Sequence, residues 1–257
     1  MNRIAIVTGA SSGLGYEFLK SLLKDNNTYH LEEVWAVARR MKKIEALAKR
    51  FPGRVRPISA DLNSSKGMST IQGMLENENP MVVLLINSAG RGEAGSFERL
   101  SLQEQMKTIK LNALSLTGVT GLALPYMSRG ARIINMASGS AFSPQPFFAV
   151  YAATKAFVLS FSRALNSELK EREISVTAVC PGPVRTAFFR HGGMGNPAWF
   201  KRLFMEKPQR TVKRALRDAF ERRPVSTTSV PMAVFRILSK ILPNGLIVSF
   251  ETLLQRK

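Results

Sequence analysis

Two side chains in the second half of the chain have the spacing of a proton-transfer pair. Tyr151 and Lys155 are four residues apart within 150–171, a stretch whose pattern predicts a helix, so both would lie on one helix face. A free phenol has a pKa near ~10, too high for an efficient base at neutral pH. A neighbouring ammonium favours the phenolate and lowers that pKa. The pair therefore predicts acid–base chemistry, with a coincidental pair on a helix surface as the alternative.

A glycine-rich segment near the N-terminus predicts a phosphate-binding loop. Residues 8–15 contain three glycines, follow an apolar strand and precede a helix. Glycines let the backbone turn sharply and approach a pyrophosphate, and the helix N-terminus offers unpaired N–H groups. Ser11 and Ser12 can add hydroxyl donors. A plain strand-to-helix turn would be the alternative, but the required strand and helix are both predicted here.

The residues after the second predicted strand select between cofactors. Enzymes that use NAD usually place a carboxylate there, which binds the ribose 2′-hydroxyl. This chain has Arg39 and Arg40 instead. A carboxylate would repel a 2′-phosphate, whereas a guanidinium pairs with it through two hydrogen bonds. The pattern favours NADP(H) over NAD(H), and two solvated arginines are the alternative interpretation.

Short apolar runs alternate with amphipathic stretches, as in a parallel sheet covered by helices on both faces. The candidate strands span residues 4–8, 34–38, 55–59, 82–87, 131–137 and 175–180. The candidate helices span residues 15–24, 42–50, 102–124 and 150–171. Several strands are apolar at nearly every position, as expected for strands buried on both faces. The sequence predicts an α/β, doubly wound (Rossmann) parallel sheet in a single domain, residues 1–257.

Composition limits the chemistry and the partners. One cysteine, Cys180, and two histidines exclude an internal disulfide and disfavour a metal centre. The net charge of +19 indicates either attraction of an anionic cofactor, substrate or membrane surface, or a merely solvated basic face. No zinc-finger or RNA-recognition pattern accompanies that charge, so we expect no nucleic-acid partner. The apolar runs are shorter than a secretory signal or the ~18 residues of a membrane span, which predicts a cytoplasmic protein.

Beside the tyrosine–lysine pair, six sequence elements occur in a fixed order along residues 3–190. They are Thr8, Gly9, Gly13 and Gly15 in a Thr-Gly-x-x-x-Gly-x-Gly pattern; Asp61-Leu62; Asn87-Ser88-Ala89-Gly90; Asn112; Ser138, thirteen residues before Tyr151; and Cys180-Pro181-Gly182 with Thr186. In this order they resemble the short-chain dehydrogenase/reductase family. Ser88 departs from the family's Asn-Asn-Ala-Gly element, and Ser140 is an alternative to Ser138.

The resemblance implies a role for each residue. Tyr151 would donate a proton to a carbonyl oxygen or remove one from an alcohol, while Ser138 hydrogen-bonds the same oxygen. Lys155 would lower the tyrosine pKa, and Asn112 would hold a water that links Lys155 to solvent. Hydride transfer is the chemistry of the nicotinamide. The implied cofactor-binding residues are Gly9, Ser11, Ser12, Gly13, Leu14, Gly15, Arg39, Arg40, Asp61, Leu62, Asn87, Ala89, Gly90, Tyr151, Lys155, Pro181, Gly182, Val184 and Thr186.

The last third of the chain bears on the substrate. By the resemblance, residues 183–210 would form a helical substrate flap. Its large apolar side chains favour a hydrophobic carbonyl or alcohol, such as a 3-oxoacyl group, a steroid or another lipid-like ketone. A helix packed on the domain is the alternative. Residues 231–257 predict an amphipathic C-terminal extension, whose basic and apolar groups would suit an anionic membrane, coenzyme A or an acyl-carrier protein. The flap's large apolar residues are Phe188, Phe189, Trp199, Phe200, Leu203, Phe204 and Met205.

The sequence thus predicts an NADP(H)-dependent oxidoreductase that interconverts a ketone and a secondary alcohol. A cofactor-binding regulatory or scaffold member of the same family is the alternative, although such members commonly lose the tyrosine or the lysine. The chain length and the aromatic flap disfavour a nucleotide-sugar epimerase. Helices 102–124 and 150–171 resemble those through which family members dimerise, so a homodimer is expected and a tetramer stays open.

Overall fold

A parallel sheet forms the centre of the molecule. The computed structural model describes residues 2–24, 30–186, 188 and 205–255. The strands in this part of the chain are β1 (Arg3–Thr8), β2 (Glu33–Ala38), β3 (Val55–Ser59), β4 (Met81–Asn87), β5 (Met127–Met136), β6 (Ser175–Cys180) and β7 (Val225–Thr227). They lie in the order β3-β2-β1-β4-β5-β6-β7, with every neighbouring pair parallel. The order reverses between β1 and β4, which is where such sheets bind ligands.

Helices cover both faces of the sheet. They are α1 (Gly13–Lys24), α2 (Lys42–Arg50), α3 (Ser65–Glu78), α4 (Leu102–Ile109), α5 (Ser115–Ala123), α6 (Ala149–Glu168), α7 (Pro208–Phe220), α8 (Val230–Ile241) and α9 (Asn244–Gln255). One buried apolar cluster joins the sheet to α1, α2 and α7, and a second joins it to α3, α5 and α6. Neighbouring residues of β1 alternate between the clusters, because successive side chains of a strand point to opposite faces.

The six predicted strands and the doubly wound architecture are confirmed, with differences of a few residues at strand ends. The helical stretch predicted over residues 102–124 is confirmed, but it is not one regular α-helix. A π-helical turn, Lys110–Leu114, separates α4 from α5. Ser115 fixes this turn: its N–H bonds the carbonyl of Lys110, and its Oγ lies 2.8 Å from that oxygen and 2.6 Å from the carbonyl oxygen of Leu62. The helix is therefore attached to the segment after β3.

Two elements have no counterpart in the sequence prediction. Helix α3 begins after Ser64, whose Oγ accepts a hydrogen bond from the N–H of Gly67 at 3.0 Å. Strand β7 has three residues and pairs with the end of β6. The Oγ of Ser226 in β7 also donates to the carboxylate of Asp218 at 2.6 Å, which attaches α7 to this edge of the sheet. The edge strand thus brings the C-terminal helices next to β6.

Candidate active site

The glycine-rich loop follows β1 and leads into α1. Gly9 and Gly13 have φ angles of +69° and +58°, in the left-handed region where a side chain would be strained. A Cβ on Gly9 would lie 2.8 Å from the Cα of Ala89, and one on Gly15 would collide with the carbonyl of Gly9. Backbone therefore packs on backbone here. The first N–H groups of α1, which have no partner within the helix, are available to phosphate groups.

The carboxyl end of β2 is cationic. Arg39 and Arg40 are both exposed, and Nη2 of Arg40 donates to Oγ of Ser12 in the glycine-rich loop at 3.3 Å. Asp61 follows β3, where its carboxylate accepts from the N–H of Asn63 at 3.0 Å, and Leu62 is buried. A guanidinium thus lies directly beside the loop that would hold the pyrophosphate. A guanidinium in this position can pair with an anionic oxygen through two hydrogen bonds.

A buried polar network lies beneath the candidate site. Nδ2 of Asn87 donates to Thr120 Oγ1 and to Asn135 Oδ1, at 2.9 Å each, and Nδ2 of Asn135 donates to Ser162 Oγ at 2.9 Å. All four residues are buried. The network joins β4 and β5 to helices α5 and α6. Sequence analysis missed Asn135 and Ser162; the available signal was an amide within an otherwise apolar strand.

Tyr151 lies in the first turn of α6 among aromatic rings. Its ring stacks on that of Phe148, with centroids 4.2 Å apart, and contacts the ring of Phe188 at 5.5 Å. Gly92 passes close to the same ring, since a Cβ there would lie 3.0 Å from Cγ of Tyr151. Burial raises the pKa of Tyr151 to about 12, while a hydrogen bond from Ser138 opposes that rise. At neutral pH the phenol is therefore protonated and able to donate.

Lys155 is one helical turn further along α6, and only 5% of it is exposed. Its Nζ donates to the carbonyl of Met136 at 2.6 Å and lies 5.5 Å from the ring centroid of Tyr151. Burial lowers the pKa of Lys155 to about 8, and the nearby thiol of Cys180 opposes that shift. The ammonium keeps its charge at neutral pH, but the lowering of the tyrosine pKa expected from it is not found, because burial of the phenol raises that pKa.

Ser138 and its alternative, Ser140, differ in their effect on Tyr151. The hydroxyl of Ser138 lowers the pKa of the Tyr151 phenol against the rise that burial causes, and its Oγ accepts from the N–H of Ser140 at 3.2 Å. The next residue, Gly139, donates its N–H to the carbonyl of Pro181 at 2.8 Å. The segment that contains Ser138 and Gly139 is therefore attached to the turn that follows β6. The backbone N–H of Ser140 thus helps to hold the hydroxyl of Ser138 in position.

Asn112 lies in the π-helical turn and is fully buried. Its Oδ1 accepts from the N–H of Arg91 at 2.9 Å, and its Nδ2 donates to the carbonyl of Arg91 and to Oγ1 of Thr154. Gly90 lies between Asn112 and Lys155, because a Cβ there would be 3.3 Å from Asn112 Oδ1 and 3.5 Å from Lys155 Nζ. The amide of Asn112 is thus used to hold the segment after β4 against α6.

Met232 of the C-terminal extension reaches this site, which sequence analysis missed. A Cβ on Gly139 would lie 2.6 Å from Sδ of Met232, and one on Gly182 would lie 3.2 Å from its Cγ. Across the cleft, a Cβ on Gly13 would lie 3.8 Å from Cβ of Thr186. The turn after β6 therefore lies between the glycine-rich loop and α8. Pro181 and Val184 of this turn are buried.

Glu206 closes this turn from the other side. Its N–H donates to the carbonyl of Pro183 at 2.8 Å, and its backbone pairs with Val184. Its carboxylate accepts from Oγ1 of Thr228 at 2.8 Å and from Oγ1 of Thr211 at 3.1 Å. One residue thus holds together the segment after β6, the start of α7 and the end of β7. A single glutamate between an apolar stretch and a basic one gave no sequence signal for this role.

Three further sequence predictions concern Cys180, a metal centre and the substrate flap. Cys180 is fully buried, and burial raises its pKa to about 12, which agrees with a small core residue rather than a nucleophile. Within the described part of the chain no three His, Cys, Asp or Glu residues form a metal-binding group. The flap predicted over residues 183–210 lies mostly outside the described residues, as do Phe189, Trp199, Phe200, Leu203 and Phe204.

Comparison with known proteins agrees with this geometry. The family model for short chain dehydrogenases matches residues 3–193. The very-long-chain 3-oxoacyl-CoA reductase of Bos taurus is 30% identical over 224 residues, covering 83% of this chain and 67% of that protein. The human 17-beta-hydroxysteroid dehydrogenase type 3 is 30% identical over 199 residues, covering 74% of this chain and 62% of the other.

A solved structure extends the comparison to nearly the whole chain. The short-chain dehydrogenase from Sphingobium yanoikuyae, in complex with NADPH, superposes with a TM-score of 0.79 at 27% identity, covering 96% of this chain and 95% of the other. The fold and the matched residues define a nicotinamide-dependent oxidoreductase that acts on alcohol and ketone groups. This chain belongs to the short-chain dehydrogenase/reductase family.

Proposed function

We propose that this protein is an NADP(H)-dependent reductase that interconverts a ketone and a secondary alcohol on a hydrophobic substrate. The observation that carries the proposal is the junction of Tyr151, Ser138 and Lys155 at the carboxyl ends of β5 and β6. A phenol, a hydroxyl and an ammonium within one pocket are what a carbonyl oxygen needs as it gains negative charge.

The proposed proton donor is Tyr151. Its pKa of about 12 keeps the phenol protonated at neutral pH, and Ser138 offers a second hydroxyl to the same substrate oxygen. When Tyr151 gives up its proton, the charge of Lys155 at 5.5 Å from the ring centroid stabilises the phenolate. We propose that Asn112 keeps the segment beside Lys155 in place and holds the water through which Lys155 reaches solvent.

Several residues of this chain fit NADP(H), which supplies the hydride when it is bound. The glycines of the first loop leave a cradle that side chains would fill, and Arg40 lies beside it. We propose that Arg40, together with Arg39, binds the 2′-phosphate, and that Asp61 and Leu62 lie beside the adenine. NADPH is the cofactor in the complex of the Sphingobium yanoikuyae enzyme, which supports the same choice here.

The hydrophobic substrate class rests on the surroundings of Tyr151. A cavity of about 90 Å³ beside this tyrosine is lined largely by apolar side chains, including Phe97, Leu100 and Phe147. Phe188 adds a further ring. The names of the bovine and human relatives refer to a very-long-chain 3-oxoacyl-CoA, whose acyl chain is apolar, and to a hydroxysteroid, whose ring system is apolar. We therefore propose a 3-oxoacyl, steroid or comparable lipid-like carbonyl substrate.

We also propose a homodimer and an anionic partner. Leu102, Met106, Ile109 and Leu114 are exposed along α4 and the π-helical turn, as is Phe157 on α6, and a second copy could cover them. The basic and apolar extension 231–257 suits either a membrane surface or an acyl-carrier protein. Among the described residues no helix is long and apolar enough to cross a membrane. We propose a cytoplasmic setting with such a peripheral contact.

Oxidation of NADPH and NADH against 3-oxoacyl thioesters, steroid ketones and small polar ketones tests the proposal. We expect turnover with NADPH and with the apolar carbonyls. Tyr151→Phe should lower kcat by about a thousandfold, the scale of general acid catalysis, while NADPH still binds. Tyr126→Phe is the control, because Tyr126 directly precedes β5 and so lies at the amino end of the strand. This variant should keep its activity.

Two results would contradict the proposal. Near-normal turnover in Tyr151→Phe would remove the assigned proton donor. A wild-type protein that binds NADPH, for example by enhanced cofactor fluorescence, yet reduces none of the carbonyls would favour a cofactor-binding scaffold instead.

A further inference from the structure

The C-terminal extension carries an exposed apolar face. On α8 it consists of Val230, Val234, Ile237, Leu238 and Ile241, whose spacing puts them on one side of the helix. Ile241 is 71% exposed. Leu246, Phe250 and Leu253 have the same helical spacing on α9 and are each 62% exposed. These eight residues are here called the C-terminal face. Apolar surface this contiguous usually marks a contact with another body.

Contacts on the inner side fix the orientation of both helices. Met232 packs on Gly139 and Gly182, and the ring of Phe235 lies 6.3 Å from that of Phe142. On α9, Ile247 is buried. Oγ of Ser143 donates to the carboxylate of Glu251 at 3.3 Å. Because these inner groups are already engaged, the helices cannot turn the C-terminal face inward without losing contacts beside the candidate site.

One exposed cation borders the face. Lys240 is exposed on α8, whereas Arg236, one turn earlier, is half-buried on the side of Met232 and near enough to Cys180 to lower the pKa of that thiol against the rise that burial causes; both line a groove of about 230 Å³ with Thr227 and Ala233. Neither makes an ion pair with a carboxylate of the described part of the chain. Residues 231–257 contain four Lys/Arg and one acidic residue, Glu251, which is turned inward to Ser143.

We infer that the C-terminal face docks on an anionic membrane surface, with Lys240 at the phosphate level and the aliphatic groups among the acyl chains. Amphipathic helices with Lys or Arg beside an apolar face bind in this way. A second copy is a poorer fit, because a symmetric contact would bring the same cations together without a carboxylate to pair them. An acyl-carrier protein would satisfy the cations but leave the broad aliphatic face uncovered.

The docking has a consequence that rests on the proposed function. Helix α8 presents the C-terminal face outward and Met232 inward to the segment of Ser138, so the membrane would lie one helix diameter from the candidate active site. A lipid-like carbonyl could then pass to Tyr151 from the bilayer without crossing water.

Sedimentation of the full-length protein with vesicles tests the inference. We expect binding to vesicles of phosphatidylcholine with phosphatidylglycerol, little binding to phosphatidylcholine alone, and loss of binding at high salt. Ile241→Ser should weaken the affinity by about tenfold, because it removes a large aliphatic contact with the acyl chains. Leu102→Ser, at an equally exposed leucine on α4, should not.

A second pair of variants isolates charge. Lys240→Glu should weaken binding to the anionic vesicles by about thirtyfold, because charge reversal removes the attraction of one cation and adds a repulsion of similar size. Lys49→Glu makes the same change on α2 and should bind as wild type does. NADPH oxidation in vesicle-free buffer, measured for each variant, reports folding and shows separately whether the proposed function holds.

Three outcomes would overturn the inference. The first is equal binding to neutral and anionic vesicles. The second is an absence of vesicle binding together with formation of an oligomer that Ile241→Ser dissociates. The third is an absence of vesicle binding together with a complex between the wild type and purified acyl-carrier protein that Lys240→Glu weakens. Failure of carbonyl reduction with intact vesicle binding would instead reject the proposed function and leave the docking surface in place.

Discussion

Sδ of Met232 occupies the space that a side chain on Gly139 would need, since a Cβ there would lie 2.6 Å from it. Met232 belongs to α8, and Gly139 follows Ser138, so a helix of the C-terminal extension forms one wall of the candidate active site. The same methionine covers Gly182 of the turn after β6. Glycine fits at both positions because Met232, from a distant part of the chain, occupies the space that a side chain would need.

Gly139→Ala should be tolerated at a cost of about 1 kcal/mol or less, because the thioether of Met232 is flexible and can move. The cost should shrink when Met232→Ala is added. Thermal or urea unfolding of the two single variants and the double variant measures this coupling. Gly15→Ala is the contrasting case, because its Cβ would collide with the backbone carbonyl of Gly9, and we expect it to lose NADPH binding. Strictly additive effects of Gly139→Ala and Met232→Ala would contradict the contact.

Arg40→Ala should raise KM for NADPH by about tenfold or more and leave KM for NADH nearly unchanged. The guanidinium of Arg40 reaches Ser12 of the glycine-rich loop, and a charged hydrogen bond to the 2′-phosphate contributes about 1.5–3 kcal/mol. Steady-state kinetics with both cofactors measures the change. Arg129→Ala, in an exposed ion pair with Glu173, is the control. If the KM values for NADPH and NADH rise equally, Arg40 positions the glycine-rich loop and does not bind the 2′-phosphate.

Lys155 should make the cofactor-free protein more stable as the pH rises from about 8 to 10.5. In the unfolded chain the lysine has its ordinary pKa of 10.5, whereas burial lowers it to about 8, so the unfolded state binds more protons in this window. The gain should approach about 3 kcal/mol. The Lys155→Met variant lacks this titrating group. Urea unfolding should therefore show that the free energy of unfolding of the wild type rises relative to that of the variant between pH values of about 8 and 10.5. Parallel pH profiles of the two proteins would contradict the buried ammonium.

Leu114→Glu should convert a homodimer into a monomer. Leu114 is 64% exposed on the π-helical turn, and a carboxylate buried there on both copies would have no partner. Analytical ultracentrifugation measures the change in mass. Ile241→Glu puts the same charge on a similarly exposed aliphatic residue of α8 and should leave the dimer intact. If Leu114→Glu remains dimeric, α4 and its π-helical turn are not the interface.

The sheet and the phosphate loop could be predicted because their signals are local. Buried strands are apolar along their whole length, and the loop between Thr8 and Gly15 needs glycine for backbone reasons that act within a few residues. Strand β7 could not be predicted in the same way. Its three residues form a strand only because β6 offers an open edge, and no pattern of period two can be recognised over so short a run.

The site was predictable as a set of residues but not as a geometry. Tyr151 and Lys155 followed from a spacing, yet the choice between Ser138 and Ser140 depends on which hydroxyl the fold turns toward Tyr151. The π-helical turn within the stretch 102–124 depends on the contact of Ser115 with the segment after β3. Met232 lies far along the chain from the residues it covers, so its part in the site is a purely tertiary relationship.

The position of Met232 also bears on the order in which the protein is made. A nascent chain that has emerged only as far as β7 carries Tyr151, Lys155 and Ser138, but α8 has not yet covered Gly139 and Gly182. The ribosome must therefore release the segment beyond residue 232 before the pocket has all of its walls. Until then the growing polypeptide can form its sheet and its cofactor loop while the reaction centre is still open to water.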